Sequence, residues 1–255
     1  MQRLLKRLEC KVLSRAAHVL CSSGLGSRVQ RLAPMTQVAE WRFPVEQTVP
    51  SLRADALRRC LGIAPGARVV LYAGNFSGYQ GIELLFDAFE QAASADPHLF
   101  LVCVGAANDG EANALRMRLS DHIRSRAQIL PRVPHQEIPG YLAMAECLVS
   151  LRPQGNNLPL KLFDYMAANR PIVATRGQAH ALIGSGRGFF CDATAASVAG
   201  AIEHVFSHPL QARARASSAS EHARHHFGWR SFVWLVGNVY RSVLLDHTVP
   251  VVYQD

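Results

Sequence analysis

Residues 150–175, SLRPQGNNLPLKLFDYMAANRPIVAT, combine two buried strands with a polar loop and a helix start, and the interpretation of the whole chain depends on them. Pro159 fixes its φ near the helical value and has no N–H to leave unpaired, so the helix is predicted to begin at Asn157 or Leu158. Free backbone amides and the positive end of the helix dipole then favour an anion, and Lys161 adds a full positive charge one turn later. The stretch therefore predicts a phosphate-binding site.

Helical spacing sorts the side chains of this helix onto two faces. A polar face, predicted to be exposed, carries Lys161, Asp164, Tyr165 and Ala168. An apolar face that can pack on a sheet carries Leu160, Phe163 and Ala167. A cation and a carboxylate thus share the exposed face, which suits a polar ligand. The alternative is an ordinary i,i+3 ion pair between Lys161 and Asp164 on a solvated helix, a common and weak feature.

A second segment with ligand-binding character lies upstream. Residues 68–74, RVVLYAG, are β-branched and apolar enough for a buried parallel strand, and residues 81–93, GIELLFDAFEQAA, have helical spacing. Gly74, Gly78 and Gly81 in the loop between them allow a sharp turn and a close approach to a ligand. The loop has neither the Lys-Ser/Thr pair of a P-loop nor the spacing of a dinucleotide fingerprint, so it is a weak signal alone.

Together the two segments resemble the signature of the retaining glycosyltransferases of family 4, which have the GT-B fold of two Rossmann-like domains facing each other across a cleft. The pattern is similar to a branch of that family with S-P-R, N-T-P-L-K and P-I-V-A-T elements, which correspond here to residues 150–152, 157–161 and 171–175. The loop GNFSGYQG, residues 74–81, matches the Y-Q-G variant of the same branch. The resemblance implies an α/β fold that forms half of a GT-B structure: a Rossmann-like parallel sheet with helices on both faces.

The resemblance also implies a binding site for a nucleoside-diphosphate sugar, the donor substrate. Many relatives place Arg and Lys where this loop has Asn75 and Gln80, and the first Glu of their Glu-seven-residues-Glu pair falls on Asn156. Amide side chains donate hydrogen bonds but carry no charge, so the positive charge on the diphosphate is expected from Arg152, Lys161 and the helix end. Asp164 falls on the second Glu, which implies that it accepts from the ribose hydroxyls. Its alternative role is that of partner to Lys161.

Further donor contacts are implied by the same resemblance. The turn at Arg132 and Val133 resembles the family's base-binding turn, whose main chain contacts the nucleobase. Gly105 ends a neighbouring strand at the carboxyl edge, where ligands of open α/β sheets bind. The predicted donor-binding residues are therefore Gly74, Asn75, Gln80, Gly81, Gly105, Arg132, Val133, Asn156, Asn157, Leu158 and Asp164, and the predicted catalytic residues are Arg152 and Lys161. His180 matches a histidine that follows the P-I-V-A-T strand in this branch; a helix-capping role is the alternative.

The composition is that of a globular chain whose charges are scattered. Its 255 residues are 49% hydrophobic and carry 27 basic against 19 acidic residues, a formal net charge of +8. This balance suits phosphate-bearing ligands, nucleic acid or an anionic membrane face, but no aromatic-basic motif indicates nucleic acid. The six cysteines include no CxxC pair, and the histidines have no metal-ligand spacing. We therefore expect buried thiols in a reducing compartment, and neither a bound metal nor another cofactor.

The first twenty residues have the spacing of a basic amphipathic helix. Its apolar stripe consists of Leu4, Leu5, Leu8, Val12 and Leu13, with arginines and lysines around it. Such a helix can pack on a domain, which is the favoured interpretation, or lie on an anionic bilayer. Charges interrupt it too often for a signal peptide, and no apolar run reaches membrane-spanning length. The chain is therefore predicted to be cytoplasmic, with peripheral contact at the inner membrane face left open.

Strand and helix signals alternate along the chain, which predicts a parallel α/β layout. Strands are predicted near Val19, Val38, Val70, Leu101, Ile129, Leu148, Ile172 and Phe189. Compared with members of the family, residues 1–45 resemble the remnant of an amino-terminal acceptor domain with its connection. Residues 46–225 resemble the donor-binding Rossmann-like domain. Residues 226–255 resemble the carboxy-terminal crossing helix and tail. The helix at 229–245 is heavily apolar, so its surface is expected to need a partner.

The resemblance implies an enzyme that transfers a sugar from a nucleotide sugar to a glycan or lipid-linked acceptor. A complete member needs an acceptor domain of comparable size, so the chain is expected to be a fragment or to rely on a separate acceptor-domain polypeptide. The alternative is a non-catalytic nucleotide-sugar-binding module or subunit, which the replacements at Asn75, Gln80 and Asn156 favour.

Overall fold

The computed structural model of the chain describes residues 2–22, 24–41, 44, 52–152 and 158–245. The helices in these ranges are α1 (Gln2–Leu13), α2 (Gly26–Leu32), α3 (Leu52–Cys60), α4 (Ile82–Ala95), α5 (Asp109–Arg116), α6 (Asp121–Arg124), α7 (Ile138–Met144), α8 (Lys161–Ala167), α9 (Gln178–Ile183), α10 (Ala195–Ser207), α11 (Pro209–His226) and α12 (Trp229–Leu244). The strands are β1 (His18–Ser22), β2 (Gln37–Trp41), β3 (Arg68–Ala73), β4 (Leu99–Ala106), β5 (Ala127–Pro131), β6 (Cys147–Ser150), β7 (Ile172–Thr175) and β8 (Phe189–Cys191). The chain divides into two compact units, residues 46–224 and residues 1–45 with 225–255.

The larger unit contains a six-stranded sheet in the order β5-β4-β3-β6-β7-β8, in which all neighbouring strands are parallel. Its strands are continuous apolar runs because helices cover both faces of the sheet, and every residue of β4 is buried. Phe89 of α4 and Ile202 of α10 belong to the core on one side. The predicted Rossmann-like parallel sheet is confirmed, and all eight predicted strand centres lie within strands.

This strand order determines which loops meet. The central strand β3 lies between β4 and β6, so the segments that follow these three strands leave the sheet at the same carboxyl edge. A short 3-10 turn at residues 78–80 and then α4 follow β3, and α8 follows β6. The carboxyl edge of an open parallel sheet is where such folds bind ligands.

Helix α8 differs from the prediction in two respects. It begins at Lys161, after a tight turn in which the Leu162 N–H donates to the Pro159 carbonyl oxygen at 3.0 Å. The predicted start at Leu158 is therefore wrong, and Asn157 lies outside the described residues. The predicted exposed face is also wrong, because Tyr165 is 1% exposed whereas Leu160 is 49% exposed. The face with the polar atoms turns inward, since the ends of β3 and β6 offer it hydrogen-bond partners.

The smaller unit is built on the parallel pair β1–β2. Helix α12 packs on this pair, with Leu235 and Val239 buried against Ala39. The Trp41 ring meets the Phe232 ring edge to face, with 5.7 Å between centroids. These contacts account for one face of α12, whereas another set of its large apolar side chains is exposed: Trp229, Val233, Trp234, Tyr240, Val243 and Leu244.

Helix α1 presents its apolar stripe to solvent. Leu4, Leu5, Leu8 and Val12 are 58–72% exposed, and only Leu13 is half-buried. The favoured prediction that this stripe packs on a domain is therefore wrong for the part of the chain that the structure describes. The helix is held through other groups, because Glu9 pairs with Arg28 at 2.8 Å and the Leu13 carbonyl accepts from Thr36 at 3.0 Å. None of the helices in the described ranges has the length and hydropathy to cross a membrane.

Candidate functional site

Two glycines bring the ends of β3 and β4 into unusually close contact. Gly74 directly follows β3 and has φ +149°, and Gly105, inside β4, has φ +135°. The Gly74 N–H donates to the Val104 carbonyl at 2.9 Å, and a Cβ on Gly105 would lie 2.1 Å from the Gly74 carbonyl oxygen. Only glycine at position 105 permits this approach, because the φ values disfavour any side chain and the backbone leaves no space for one. The two predicted glycines therefore shape the carboxyl edge of the sheet.

Lys161 extends from the first residue of α8 over this glycine edge. Its Nζ lies 3.1 Å from Gln80 Oε1 and 3.9 Å from the centroid of the Tyr72 ring. A Cβ built on Gly74 would lie 2.7 Å from the same Nζ, so the absence of a side chain at Gly74 makes room for the ammonium. The fold brings Lys161 together with Gly74 and Gln80 of a loop that is distant in sequence, and the motifs predicted all three residues.

The Lys161 ammonium is poorly solvated. Its hydrogen bond goes to the amide oxygen of Gln80, which carries no negative charge. Burial lowers the pKa of Lys161 from 10.5 to about 7, and the positive charge of Arg152 acts in the same direction. An anion that entered the site would reverse both effects, because it would neutralise the two cations and hold the proton on the amine. Lys161 is also the only lysine beyond residue 11 of the sequence.

Arg152 approaches the site from the end of β6. Its backbone N–H donates to Thr175 Oγ1 at 2.9 Å, which ties it to the end of β7. Its guanidinium lies over the Tyr79 ring, 4.9 Å from the centroid, so the arginine stacks on the loop that carries Gln80. Two cations, one at the end of β6 and one at the start of α8, thus face one edge of the sheet, an arrangement that favours a ligand with more than one negative charge.

Two tyrosines whose role the sequence analysis missed hold the site together. The Ala73 N–H donates to Tyr165 Oη at 2.8 Å, and the Tyr165 hydroxyl lies 3.3 Å and 3.4 Å from the carbonyl oxygens of Ala73 and Val149. Because β6 pairs with β3 only at Val70 and Leu71, the Ala73 amide lies beyond the ladder and takes its acceptor from α8. Tyr72 donates to the Asn75 carbonyl at 2.6 Å and fixes the start of the loop.

Replacement of Tyr165 by Phe should lower the free energy of unfolding by roughly 1–3 kcal/mol, because the buried Ala73 N–H loses its acceptor. Urea denaturation followed by circular dichroism measures the change. Tyr141→Phe is a matched control, since Tyr141 is 7% exposed and its hydroxyl has no hydrogen bond within the described ranges. Equal stability of the two variants would contradict the assigned role of the Tyr165 hydroxyl.

The other predicted donor-binding residues lie around the same edge or outside the described ranges. Gly81, with φ +72°, caps the start of α4, and Asn75 is exposed with its Oδ1 accepting from the Ser77 N–H at 3.3 Å. Arg132 and Val133 follow β5, where the Arg132 N–H donates to the Ala106 carbonyl at 2.9 Å. Leu158 and Asp164 are half-buried, whereas Asn156 and Asn157 belong to residues 153–157, which the structure does not describe.

His180 lies inside a helix and contacts an aromatic ring. His180 is the third residue of α9, whose first turn is capped by Gly177, so the capping alternative is wrong. Its ring packs edge to face on Phe190, with 4.6 Å between centroids.

Among the residues that the structure describes, no three His, Cys, Asp or Glu side chains form a group that could hold a metal ion. The metal-free site stays a prediction.

The parallel sheet with helices on both faces defines a Rossmann-like domain, with the glycine edge and two cations at its carboxyl edge. The profile of the family described as glycosyl transferases group 1 matches residues 67–208, and the chain belongs to this family. A curated relative is the putative colanic acid biosynthesis glycosyl transferase WcaI of Escherichia coli (strain K12), 28% identical over 132 residues. The match covers 51% of this chain and 31% of that relative.

Solved structures of glycosyltransferases have the same fold. Anabaena Alr3699/HepE in complex with UDP-glucose superposes with a TM-score of 0.76 at 21% identity, covering 96% of this chain and 68% of that one. A glycosyltransferase from Rickettsia africae ESF-5 superposes with a TM-score of 0.83 at 13% identity, with the same two coverages. A sucrose-phosphate synthase from Thermosynechococcus elongatus has a TM-score of 0.76 at 22% identity and is covered to 63%. At these identities the likeness concerns the fold, which is that of the GT-B enzymes.

Proposed function

We propose that this chain binds the nucleoside-diphosphate sugar of a glycosyltransferase that transfers the sugar to a glycan or lipid-linked acceptor. The observation that carries the proposal is the position of Lys161, whose buried Nζ lies over Gly74 at the carboxyl edge of the sheet. A buried ammonium beside a second cation is costly unless an anion joins it, and a diphosphate supplies that anion. The Alr3699/HepE structure, which has the same fold, contains UDP-glucose.

In this proposal Arg152 and Lys161 are the catalytic residues, because they stabilise the diphosphate as it departs from the sugar. Gln80 supports them without a charge of its own. Its Oε1 accepts from Lys161, so its amide nitrogen remains available to donate to a phosphate oxygen. Asn75 provides a second amide at the edge of the same loop. These two amides replace the cations found in many relatives, so neutralisation of the diphosphate depends more on Arg152 and Lys161.

The remaining donor contacts are assigned by the family resemblance. Asp164 accepts from the ribose hydroxyls, and the main chain at Arg132 and Val133 contacts the nucleobase. The segment with Asn156, Asn157 and Leu158 supplies backbone amides to the phosphates. The glycine pair Gly74 and Gly105 allows the ligand to approach the backbone closely, and Gly81 sets the turn into α4.

The reaction is proposed to retain the anomeric configuration, as in family 4 and the Y-Q-G branch, and to use no metal or other cofactor. The cations of the site take the place that a metal has in other transferases. A further polypeptide segment, on this chain or a separate one, supplies the acceptor wall of the cleft. The protein is proposed to work in the cytoplasm, with the exposed leucines of α1 allowing peripheral contact with the inner membrane face.

A second candidate function is a non-catalytic subunit that binds the nucleotide sugar. The uncharged side chains at Asn75 and Gln80 favour it, because the loop lacks the cations that many active relatives have. The two functions differ in turnover and not in donor binding. Release of free nucleoside diphosphate from a bound nucleotide sugar, measured with an acceptor present, separates them.

The donor site can be tested by calorimetric titration of the full chain with UDP, GDP, ADP and their glucose derivatives. We expect one of these series to bind saturably and identify the base. Asp164→Asn should weaken binding of the nucleotide by roughly 1 kcal/mol or more, because the ribose contact requires a carboxylate acceptor. Asp87→Asn is the control, since Asp87 is an exposed carboxylate of α4 and has no role in the proposed site. No binding in any series would contradict the proposed function.

Nucleotide-sugar binding should depend on pH through Lys161. The ammonium form binds the diphosphate, and in the free chain the pKa of Lys161 is lowered to about 7. Below this pH the amine is already protonated, so affinity should be nearly constant; above it, affinity should fall by up to about tenfold per pH unit, with uptake of one proton. Calorimetry between about pH 6 and 9 in two buffers of different ionisation enthalpy measures both quantities. A flat profile without proton uptake would contradict this role.

A further inference from the structure

A cavity lies at the opposite edge of the sheet from the candidate donor site. It has a volume of about 640 Å³ and lies beside the starts of β3, β6 and β7 and the junction of α10 with α11. The size falls within the usual range for small-molecule sites. Because the donor site is formed at the carboxyl ends of the same strands, this cavity is a separate feature of the larger unit.

Four charged side chains line this cavity, and two of them are already neutralised. Arg68 pairs with Asp96, and Glu146 accepts from Arg58 at 2.9 Å and from the Val69 N–H at 2.7 Å. The other two lining charges are Arg170 and Arg213. Neither has an ion pair with a carboxylate in the described part of the chain, and Arg170 donates only to the Ala143 carbonyl. The cavity therefore has two positive charges that are not compensated by its walls.

The two arginines come from different elements. Arg170 lies just before β7, and Arg213 lies in the second turn of α11. A guanidinium presents a planar fork of donors, and two such groups on one cavity suit a phosphate monoester, whose dianion can accept from both. The lining also contains apolar side chains, among them Pro171, Val205, Phe206, Pro209 and Ala212. An organic group attached to the phosphate would bury these side chains.

We propose that the cavity between the strand starts and the α10–α11 junction is a binding site for a small phosphate monoester. The phosphate lies between Arg170 and Arg213, and the organic part packs on Phe206 and the neighbouring prolines. Glu146 and Arg68 also line the cavity, and each is paired with a side chain of opposite charge. This site does not use Lys161 or the glycine edge, so it is independent of the proposed donor binding.

The test uses phenyl phosphate, with inorganic phosphate and phenol as partial ligands. Titrations of the full chain are followed by backbone amide chemical shifts, which separate a response at Asn169, Arg170, Ala212 and Arg213 from one at the donor edge. Phenyl phosphate is expected to saturate the first set of shifts and to bind at least tenfold more tightly than either partial ligand. Arg213→Ala should weaken it about tenfold, since a charge-assisted hydrogen bond is lost.

Arg224→Ala is the matched control, because Arg224 is another exposed arginine on α11, outside the cavity lining. It should leave the affinity for phenyl phosphate unchanged. Arg213 makes no hydrogen bond in the described part of the chain, so its replacement should not affect folding, and Arg213→Gln provides a second variant of similar length. Shifts confined to the donor edge, equal affinities for phenyl phosphate and phosphate, or equal effects of the two alanine variants would overturn the proposal.

Discussion

Lys161→Met should weaken nucleoside-diphosphate binding by roughly 1.5–3 kcal/mol, or about 10- to 150-fold, while it makes the folded chain more stable. The loss of affinity follows from removal of the charge that faces the diphosphate. The gain in stability follows from burial, which lowers the pKa of Lys161 to about 7, so that the folded chain holds the ammonium at a cost. Methionine matches the lysine side chain as far as Cε and removes the charged amine.

The sign of the stability change depends on pH. Lys161 has its pKa lowered in the folded chain, so the penalty is complete below pH 7 and disappears as the pH approaches the unfolded value of 10.5. We expect Lys161→Met to raise the free energy of unfolding by about 2–5 kcal/mol near pH 6 and by less near pH 9. Thermal unfolding at both pH values measures it. Lys11→Met, which changes an exposed lysine of α1, is the control and should change neither binding nor this pH dependence.

A stable Lys161→Met chain that still binds the nucleoside diphosphate with unchanged affinity would remove Lys161 from the proposed site. A destabilised chain would instead contradict the buried, unfavourable ammonium. The two measurements therefore test the function and the electrostatics of the site separately.

Gly105→Ala should destabilise the larger unit by about 3 kcal/mol or more. The alanine Cβ would lie 2.1 Å from the Gly74 carbonyl oxygen, a backbone atom that cannot rotate away, and φ at Gly105 is +135°. Either the ends of β3 and β4 separate or the chain unfolds. Urea denaturation measures the loss of stability, and any folded fraction should bind the nucleotide weakly because the glycine edge is distorted.

Gly66→Ala separates the clash from the backbone conformation. Gly66 has φ +81°, and a Cβ added to it would meet no heavy atom within 4 Å, so only the positive φ should cost free energy there. We expect about 1 kcal/mol for this control. If the two alanine variants lose the same stability, the close approach of Gly105 to Gly74 has no energetic consequence.

The sheet could be predicted from the sequence because its physical signal is local. Strands β3, β4 and β7 are short apolar runs, and a strand buried on both faces requires such a run at every position. The glycines at positions 74 and 105 were predicted as places where the chain turns or ends near a ligand, and the structure gives both a positive φ. Lys161 and Gln80 were predicted from separate motifs, and Lys161 Nζ lies 3.1 Å from Gln80 Oε1.

The orientation of α8 could not be predicted in the same way. Helical spacing placed Lys161 and Tyr165 on one face, which is correct. Because the side chains on that face are polar, it was predicted to be exposed, which is wrong. The structure buries it because the Ala73 amide lies beyond the β3–β6 ladder and requires an acceptor. Such a requirement arises from the register of two strands, and no short stretch of sequence contains it. The same reason explains why the role of Tyr165 was missed.

The burial of Lys161 also makes it a chemical reporter. With a pKa of about 7, its side-chain amine is largely uncharged and nucleophilic at about pH 8, whereas solvent-exposed lysines are ordinarily protonated there. Mild acylation followed by peptide mass spectrometry would then mark one position in the larger unit. Protection of that position by a titrated compound would reveal occupancy of the site without any catalytic assay, and a collection of candidate donors could be screened by this reactivity alone.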